Sequence, residues 1–296
     1  MRQFKKVDEK LSAKASAEKF AQAGAELADL KVALRDLKVV LRDMEFKSAG
    51  YRVHSRSLSR DDLKTLLVDW SEPLGLRHTS HTIGYLANKI TALEEQCVGR
   101  LATTSQTMIA RILAAQSLSL SSQTLRILEI GVLFGVASIC FRKLCAPYFR
   151  DISLTLLDPF EGYYEQDVAD LITGVPVSRE ALEENILNPT AQHADYEVIS
   201  GFSHDPAIVS QLEGREFDLL LIDGDHSYEG VKKDYELYAP MVREGGIILF
   251  DDYDVAEWPD IKRFVDEGPA KSDHLEFVKY GFRTAAFRVK SRDRGA

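Results

Sequence analysis

The chain has 296 residues, 45% apolar and 28% charged, the make-up of an ordinary globular protein, which excludes wholesale disorder and low-complexity sequence. No run reaches the roughly 18 uninterrupted apolar residues of a membrane helix, and the N-terminal MRQFKKVDEKLSAKASAEK lacks the apolar core of a secretory leader. The net charge of −9 divides into 14 Lys/Arg against 8 Asp/Glu over residues 1–60 and 23 against 38 over residues 61–296, so the acidic main body is a poor match for a nucleic-acid backbone.

In chain order, the first pattern is helical. Phe20, Ala23, Leu27, Leu30, Leu34, Leu37, Leu41 and Met44 are spaced alternately three and four apart, with charged residues between them. This heptad seam predicts a coiled-coil helix over residues 1–46. A stripe so narrow has little to bury alone, so the expectation is a homo-oligomer formed through it. Residues 47–60, with four serines and a glycine, read as a linker. Residues 61–120 return to helical spacing, interrupted at Pro73 and Gly75. They are expected to form two or three helices. The three cysteines, Cys97, Cys140 and Cys145, cannot close a disulfide framework and read as reduced thiols of a cytoplasmic protein.

From residue 121 to the end, short apolar runs alternate with helical stretches. The runs are LRILEI (125–130), ISLTLL (152–157), YEVIS (196–200), FDLLLI (217–222) and GGIILF (245–250). Near-continuous apolar runs of this length read as strands buried on both faces. The alternation predicts an α/β fold, a doubly wound Rossmann-like sheet of five parallel strands with an N-terminal helical extension. LEFVKY (275–280) and TAAFRV (284–289) are separated by three residues, which permits only a closing C-terminal antiparallel hairpin.

The strands end in acids: Glu129, Asp158, Asp223, and Asp251 with Asp252. A parallel sheet brings its carboxyl ends to one edge, where open α/β folds bind ligands. The turn after the first strand reads Glu129-Ile-Gly131-Val-Leu-Phe-Gly135 and lacks the G-x-G-x-x-G phosphate fingerprint. A carboxylate before the glycine suits a cationic ligand better than pyrophosphate, and Asp158 is placed to accept from ribose hydroxyls. A nucleoside with a positively charged tail describes S-adenosyl-L-methionine (SAM). The second constellation, Asp223-Gly-Asp225-His226 with Asp251 and Asp252, crowds three carboxylates that repel one another. A hard divalent cation such as Mg²⁺ relieves that repulsion and takes oxygen ligands. Asp225 and His226 stand beside it as alternative proton acceptors. His226 is preferred, because the adjacent metal charge makes Asp225 the weaker base.

These residues resemble the class I SAM-dependent methyltransferases, over roughly residues 120–290. FDLLLIDGDHSYEGVKKDYELYAPMVREGGIILFDDYD (217–254) is similar to the metal-dependent sugar O-methyltransferase branch, the macrocin O-methyltransferase-like and cephalosporin-hydroxylase-like proteins. LEIGVLFG resembles the first SAM motif, LLDPF the ribose-binding acid and ISGFSHD the adenine-side loop. The resemblance implies that Glu129, Gly131 and Gly135 cradle the methionine part of SAM, that Asp158 holds the ribose, and that Ser203 lies near the adenine. Asp223 would serve the cofactor and, with Asp251 and Asp252, the metal. Family members often carry a serine two residues after the second glycine, where this chain has Ala137 followed by Ser138. Residues 61–120 resemble the helices that lid such active sites. The implied activity is methyl transfer to a hydroxyl of a sugar or other polyhydroxylated small molecule, with no nucleic acid and no membrane as partner. Two other readings are a SAM-binding assembly subunit without chemistry of its own, and an oxygenase, which the lack of an evident two-His-one-carboxylate set disfavours.

Overall fold

The computed structural model describes residues 55–160, 169–170, 173–187 and 195–291. The expected coiled coil over 1–46 and most of the linker over 47–60 lie outside the described residues. Three helical segments come first. α1 (Arg60–Lys64) widens into a looser turn over Thr65–Ser71, and Gly75, with φ +75°, takes the chain out of it. α2 (Ser80–Glu94) starts at a reciprocal cap between Thr79 and Thr82, and α3 (Ser105–Ser117) starts at Thr104, whose hydroxyl accepts the Thr107 N–H.

The apolar runs then form β1 (Thr124–Ile130), β2 (Asp151–Asp158), β3 (Asp195–Ser200), β4 (Phe217–Ile222) and β5 (Val242–Phe250). The hairpin forms β6 (Leu275–Gly281) and β7 (Thr284–Val289). Between them run α4 (Val136–Cys145), α5 (Arg179–Leu187), α6 (Pro206–Leu212), α7 (Tyr228–Tyr238) and α8 (Pro259–Glu267). The strand order is β3-β2-β1-β4-β5-β7-β6, parallel through the first five and antiparallel where β7 joins β5 and β6. One difference from the sequence reading is that β5 begins at Val242 and passes through the glycine pair 245–246 with an irregular register against β4. Gly245, at φ +76°, supplies the kink that lets the strand continue.

Alternate side chains of the sheet feed two cores. Ile127, Leu219, Leu221, Ile247 and Leu249 meet α2, α3, α4 and α5 on one face. Leu128, Leu220, Ile222, Ile248 and Phe250 meet α6, α7 and α8 on the other. A fully buried Leu or Ile contributes about 1.5–3 kcal/mol, so these paired layers hold the sheet and its carboxyl edge in place.

Within residues 61–120, α3 is a core helix. Twelve of the 13 residues of α3 are buried, because its apolar surface runs around the whole helix and is covered by the sheet, α2 and α4. The end of the linker is also anchored. Arg56 is buried, its guanidinium donating to both oxygens of Glu94 at 2.7 and 2.9 Å and to the carbonyls of Leu101 and Thr103. No helix among the described residues is long and apolar enough to cross a membrane.

Candidate active site

The carboxyl edge is stitched by the first residue after each strand. Gly131 N–H donates to the Leu157 carbonyl, Gly201 to Asp158, Asp223 to Ile130 and Asp251 to Ile222, at 2.9–3.1 Å. The predicted site residues, from residue 129 to residue 252, therefore sit at the last strand positions or in the loops that follow them, along one edge of one sheet. Gly131 is where the loops come closest. Its φ is +82°, and a Cβ there would lie 1.9 Å from the Asp223 carbonyl oxygen, so only glycine lets the turn after β1 pass the turn after β4.

On the β1–β2 side the acids are held by the protein itself. Asp158 is fully buried. Its Oδ2 accepts the N–H groups of Val132 and Leu133 at 2.7 and 3.0 Å, and its Oδ1 accepts that of Phe160 at 2.7 Å. Asp158 thus stands at the expected position, but as it lies its carboxylate organises the glycine turn and does not face outward to a ribose. Glu129 is buried under the same turn and accepts from the Ser138 hydroxyl. Burial pushes its carboxyl up to about 7, against the Ser138 bond and the nearby Arg111 charge. Gly135, at φ +70°, opens α4 directly below. Ser203 turns its hydroxyl to Asp234 at 2.5 Å.

On the β4–β5 side the acids cluster. Asp251 and Asp252 are buried and Asp223 is half-buried. Two arginines meet them, neither of which the motifs announced. Arg111, on α3, is buried with one guanidinium nitrogen paired to Asp251 and another 3.7 Å from Asp223. Arg283, at the hairpin tip, donates to Asp252, one bond measuring 2.9 Å. Burial and the neighbouring Asp251 raise the Asp223 carboxyl well above the usual range, and the same two causes raise Asp252. For Asp251 burial acts upward, but Arg111 outweighs it and holds the group below its ordinary value.

Asp225 and His226 part company. Asp225 is exposed, accepts the Ser227 N–H at 2.8 Å, and lies against Gly230 in the first turn of α7. His226 points inward: its Nε2 is 3.7 Å from Asp223 and 3.9 Å from Asp252, and its ring packs on Trp258 with centroids 4.6 Å apart. Burial pulls the imidazole down, but the surrounding carboxylates outweigh it and the net shift is upward.

The donor chemistry of this cluster fits a hard divalent cation. Three carboxylates face two arginines, and burial together with the neighbouring Asp251 raises Asp223 against the opposing pull of His226 and Arg111. As the side chains lie, no three His, Cys, Asp or Glu groups among the described residues form a ready-made metal cage. Asp251 and Asp252 are turned to their arginines instead.

A sheet of this order with a reversed seventh strand, a glycine turn after β1 and acids along the carboxyl edge define a class I methyltransferase fold. Residues 128–253 match the family described as a methyltransferase domain. An uncharacterised protein of Acanthamoeba polyphaga mimivirus is 32% identical over 145 residues, 45% of this chain and 66% of its own length. Demethylmacrocin O-methyltransferase of Streptomyces fradiae is 34% identical over 86 residues, 27% of this chain. The chain spans only 21% of that relative's length. Among solved structures, the O-methyltransferase NovP superposes with a TM-score of 0.54 at 20% identity, over 71% of this chain and all of NovP.

Proposed function

We propose that the protein is a SAM-dependent O-methyltransferase, assisted by Mg²⁺ or a similar cation, whose acceptor is a hydroxyl of a sugar or another polyhydroxylated small molecule. The observation that carries this reading is the contact between the two half-sites. The glycine turn, whose neighbouring acids suit a cationic nucleoside, touches the start of the acid cluster at Asp223. A methyl donor beside Gly131 and an acceptor beside Asp223 and Asp252 would therefore be neighbours, and proximity of that kind supplies much of the rate of an in-line transfer.

The chain's own residues divide the work. Glu129 and the turn from Gly131 to Gly135 would bind the charged end of SAM. Asp223, Asp251 and Asp252 would hold the cation, which when bound lowers the pKa of an acceptor hydroxyl. His226, with Nε2 between Asp223 and Asp252, would take the proton. Asp225 would order the loop through Ser227. Trp258 walls one side of His226. The acidic body, net −15 over residues 61–296, disfavours a polyanionic acceptor. The NovP and demethylmacrocin enzymes, O-methyltransferases by name, support the same reaction. A cytoplasmic homo-oligomer joined through residues 1–46 completes the proposal.

The test is methyl transfer from labelled SAM to a panel of free and nucleotide-linked sugars, with and without excess chelator. Transfer that needs a divalent cation supports the reading. Full turnover in chelator contradicts the metal part, and a failure to bind SAM contradicts the whole.

A further inference from the structure

Asp234 belongs to neither half-site. On α7 the residues Val231, Asp234 and Tyr238 are spaced three and four apart, and all three are buried. Asp234 thus occupies the middle of the helix's inward stripe, where an apolar side chain would be the ordinary choice. A buried carboxyl has a cost that must be offset by bonding. Its Oδ1 accepts from the Ser203 hydroxyl at 2.5 Å, and one turn further along α7 the Tyr238 hydroxyl donates to the Ser203 carbonyl at 2.6 Å. Its Oδ2 is buried without a hydrogen-bond partner and lies against the turn after β4, where a Cβ on Gly224 would come within 3.0 Å of it.

α7 therefore grips the loop after β3 at two points and backs the loop after β4 with the same side chain. The loop after β3 leaves the sheet beside Asp158, whose carbonyl accepts from Gly201 N–H at 3.1 Å. These two loops flank the stretch of carboxyl edge between Asp158 and Gly224 on which a nucleoside would lie. We propose that Asp234 is a positioning residue of the cofactor site, clipping the loop after β3 to the helix after β4 and so fixing the width of the nucleoside slot. The inference rests on the SAM reading above.

The clip works in the neutral form. Burial pushes the Asp234 carboxyl up to about 7; Ser203 opposes the shift and Asp225 adds to it. The groups that face it are Asp225 from the β4–α7 turn, the Ser203 hydroxyl from the β3 loop and the Tyr238 phenol from its own helix, none of them basic. Neutral, the carboxyl keeps Oδ2 buried at far lower cost than a charge would. Ionised, it draws water into the seam and loosens the loop. Because the clipped state holds its proton to a higher pH than an opened, solvated carboxyl, opening is favoured as pH rises through about 7.

The experiment is calorimetric titration of the full chain with S-adenosylhomocysteine at about pH 6 and about pH 8.5, with a melting curve for each protein. Wild type and Asp234→Asn carry the same Glu129, so the readout is their difference: equal affinity at the lower pH, and wild type several-fold weaker than Asp234→Asn at the higher. Asp234→Asn keeps an acceptor for Ser203 without a charge. Asp234→Ala should bind about tenfold more weakly at both. If Asp234→Ala does not fold, Ser203→Ala removes the same bond from the loop side and should weaken binding to a similar degree. Affinity within twofold of wild type in the folded loss-of-bond variant, or a wild-type pH dependence retained by Asp234→Asn, overturns the clip. Folded wild type that binds no S-adenosylhomocysteine at either pH overturns the SAM reading as well. Wild type that binds while the variants do not differ from it removes the clip alone.

Discussion

The acids at the ends of β1 and β2 and those at the ends of β4 and β5 look alike in sequence and differ in what surrounds them. Asp158 has three backbone N–H partners, so it is satisfied from within and stiffens the turn that lies over it, while Glu129 beside it accepts from the Ser138 hydroxyl and is pushed up to about 7 by burial. Asp223, Asp251 and Asp252 share two arginines and leave Asp223 undercompensated. The contrast teaches that a saturated acid builds a binding surface, whereas an undercompensated one retains capacity for a cation or a substrate proton.

The largest way to break this contrast is Asp252→Ala. It should abolish methyl transfer, a loss beyond about a hundredfold, while S-adenosylhomocysteine affinity stays within a few-fold of wild type. Labelled-SAM turnover and calorimetry on one preparation check both halves. A parallel loss of cofactor binding would show that the two half-sites are not separable.

Arg111→Met comes next. It leaves Asp251 buried with no countercharge, and breaking a buried pair of this kind costs about 3–5 kcal/mol. Urea unfolding should show that drop, and adding Asp251→Asn should restore much of it. An unchanged midpoint in the single variant would mean that Arg111 does not neutralise the cluster.

His226→Ala should slow turnover by about a hundredfold, with Asp225→Asn losing far less. The reverse result moves the proton-accepting role to Asp225. Two active variants would mean that the proton leaves directly to water.

The smallest effect sharpens the comparison from the β1–β2 side. Glu129 titrates near 7 in the folded chain against an ordinary 4.5, so between those values the folded state binds a proton that the unfolded state has lost. Its contribution therefore falls as pH rises through that window. The unfolding midpoint of Glu129→Gln should decline less from about pH 5 to about pH 8 than that of wild type; an equal decline would mean that Glu129 is already ionised when folded.

Much of this was legible in the residues. The five apolar runs, the three-residue gap at the hairpin and the acids at strand ends depend on local pattern, and β1 to β7 fall where those patterns lie. The countercharges depend on tertiary placement. Arg111 is 112 positions from Asp223, yet a clue was present: it is the one charge in the apolar run MIARILAA. Ser138 stands out in the sequence only as the neighbour of the expected serine position, and Arg283 carried no comparable signal, since an arginine in a hairpin tip is ordinary. The full burial of α3 was not legible either, because helical spacing of apolar residues from Ile83 to Leu118 does not separate a surface helix from one packed into the core.

The central claim is that the edge beside Gly131 is built for a charged nucleoside independently of the metal-facing acids. Calorimetric titration of S-adenosylhomocysteine into wild type and Asp252→Ala, each with and without excess chelator and with NAD as the competing ligand, tests it most directly. The account predicts roughly micromolar binding in all four cases and no binding of NAD. Binding of NAD in place of S-adenosylhomocysteine, or nucleoside binding that disappears with chelator, would contradict it.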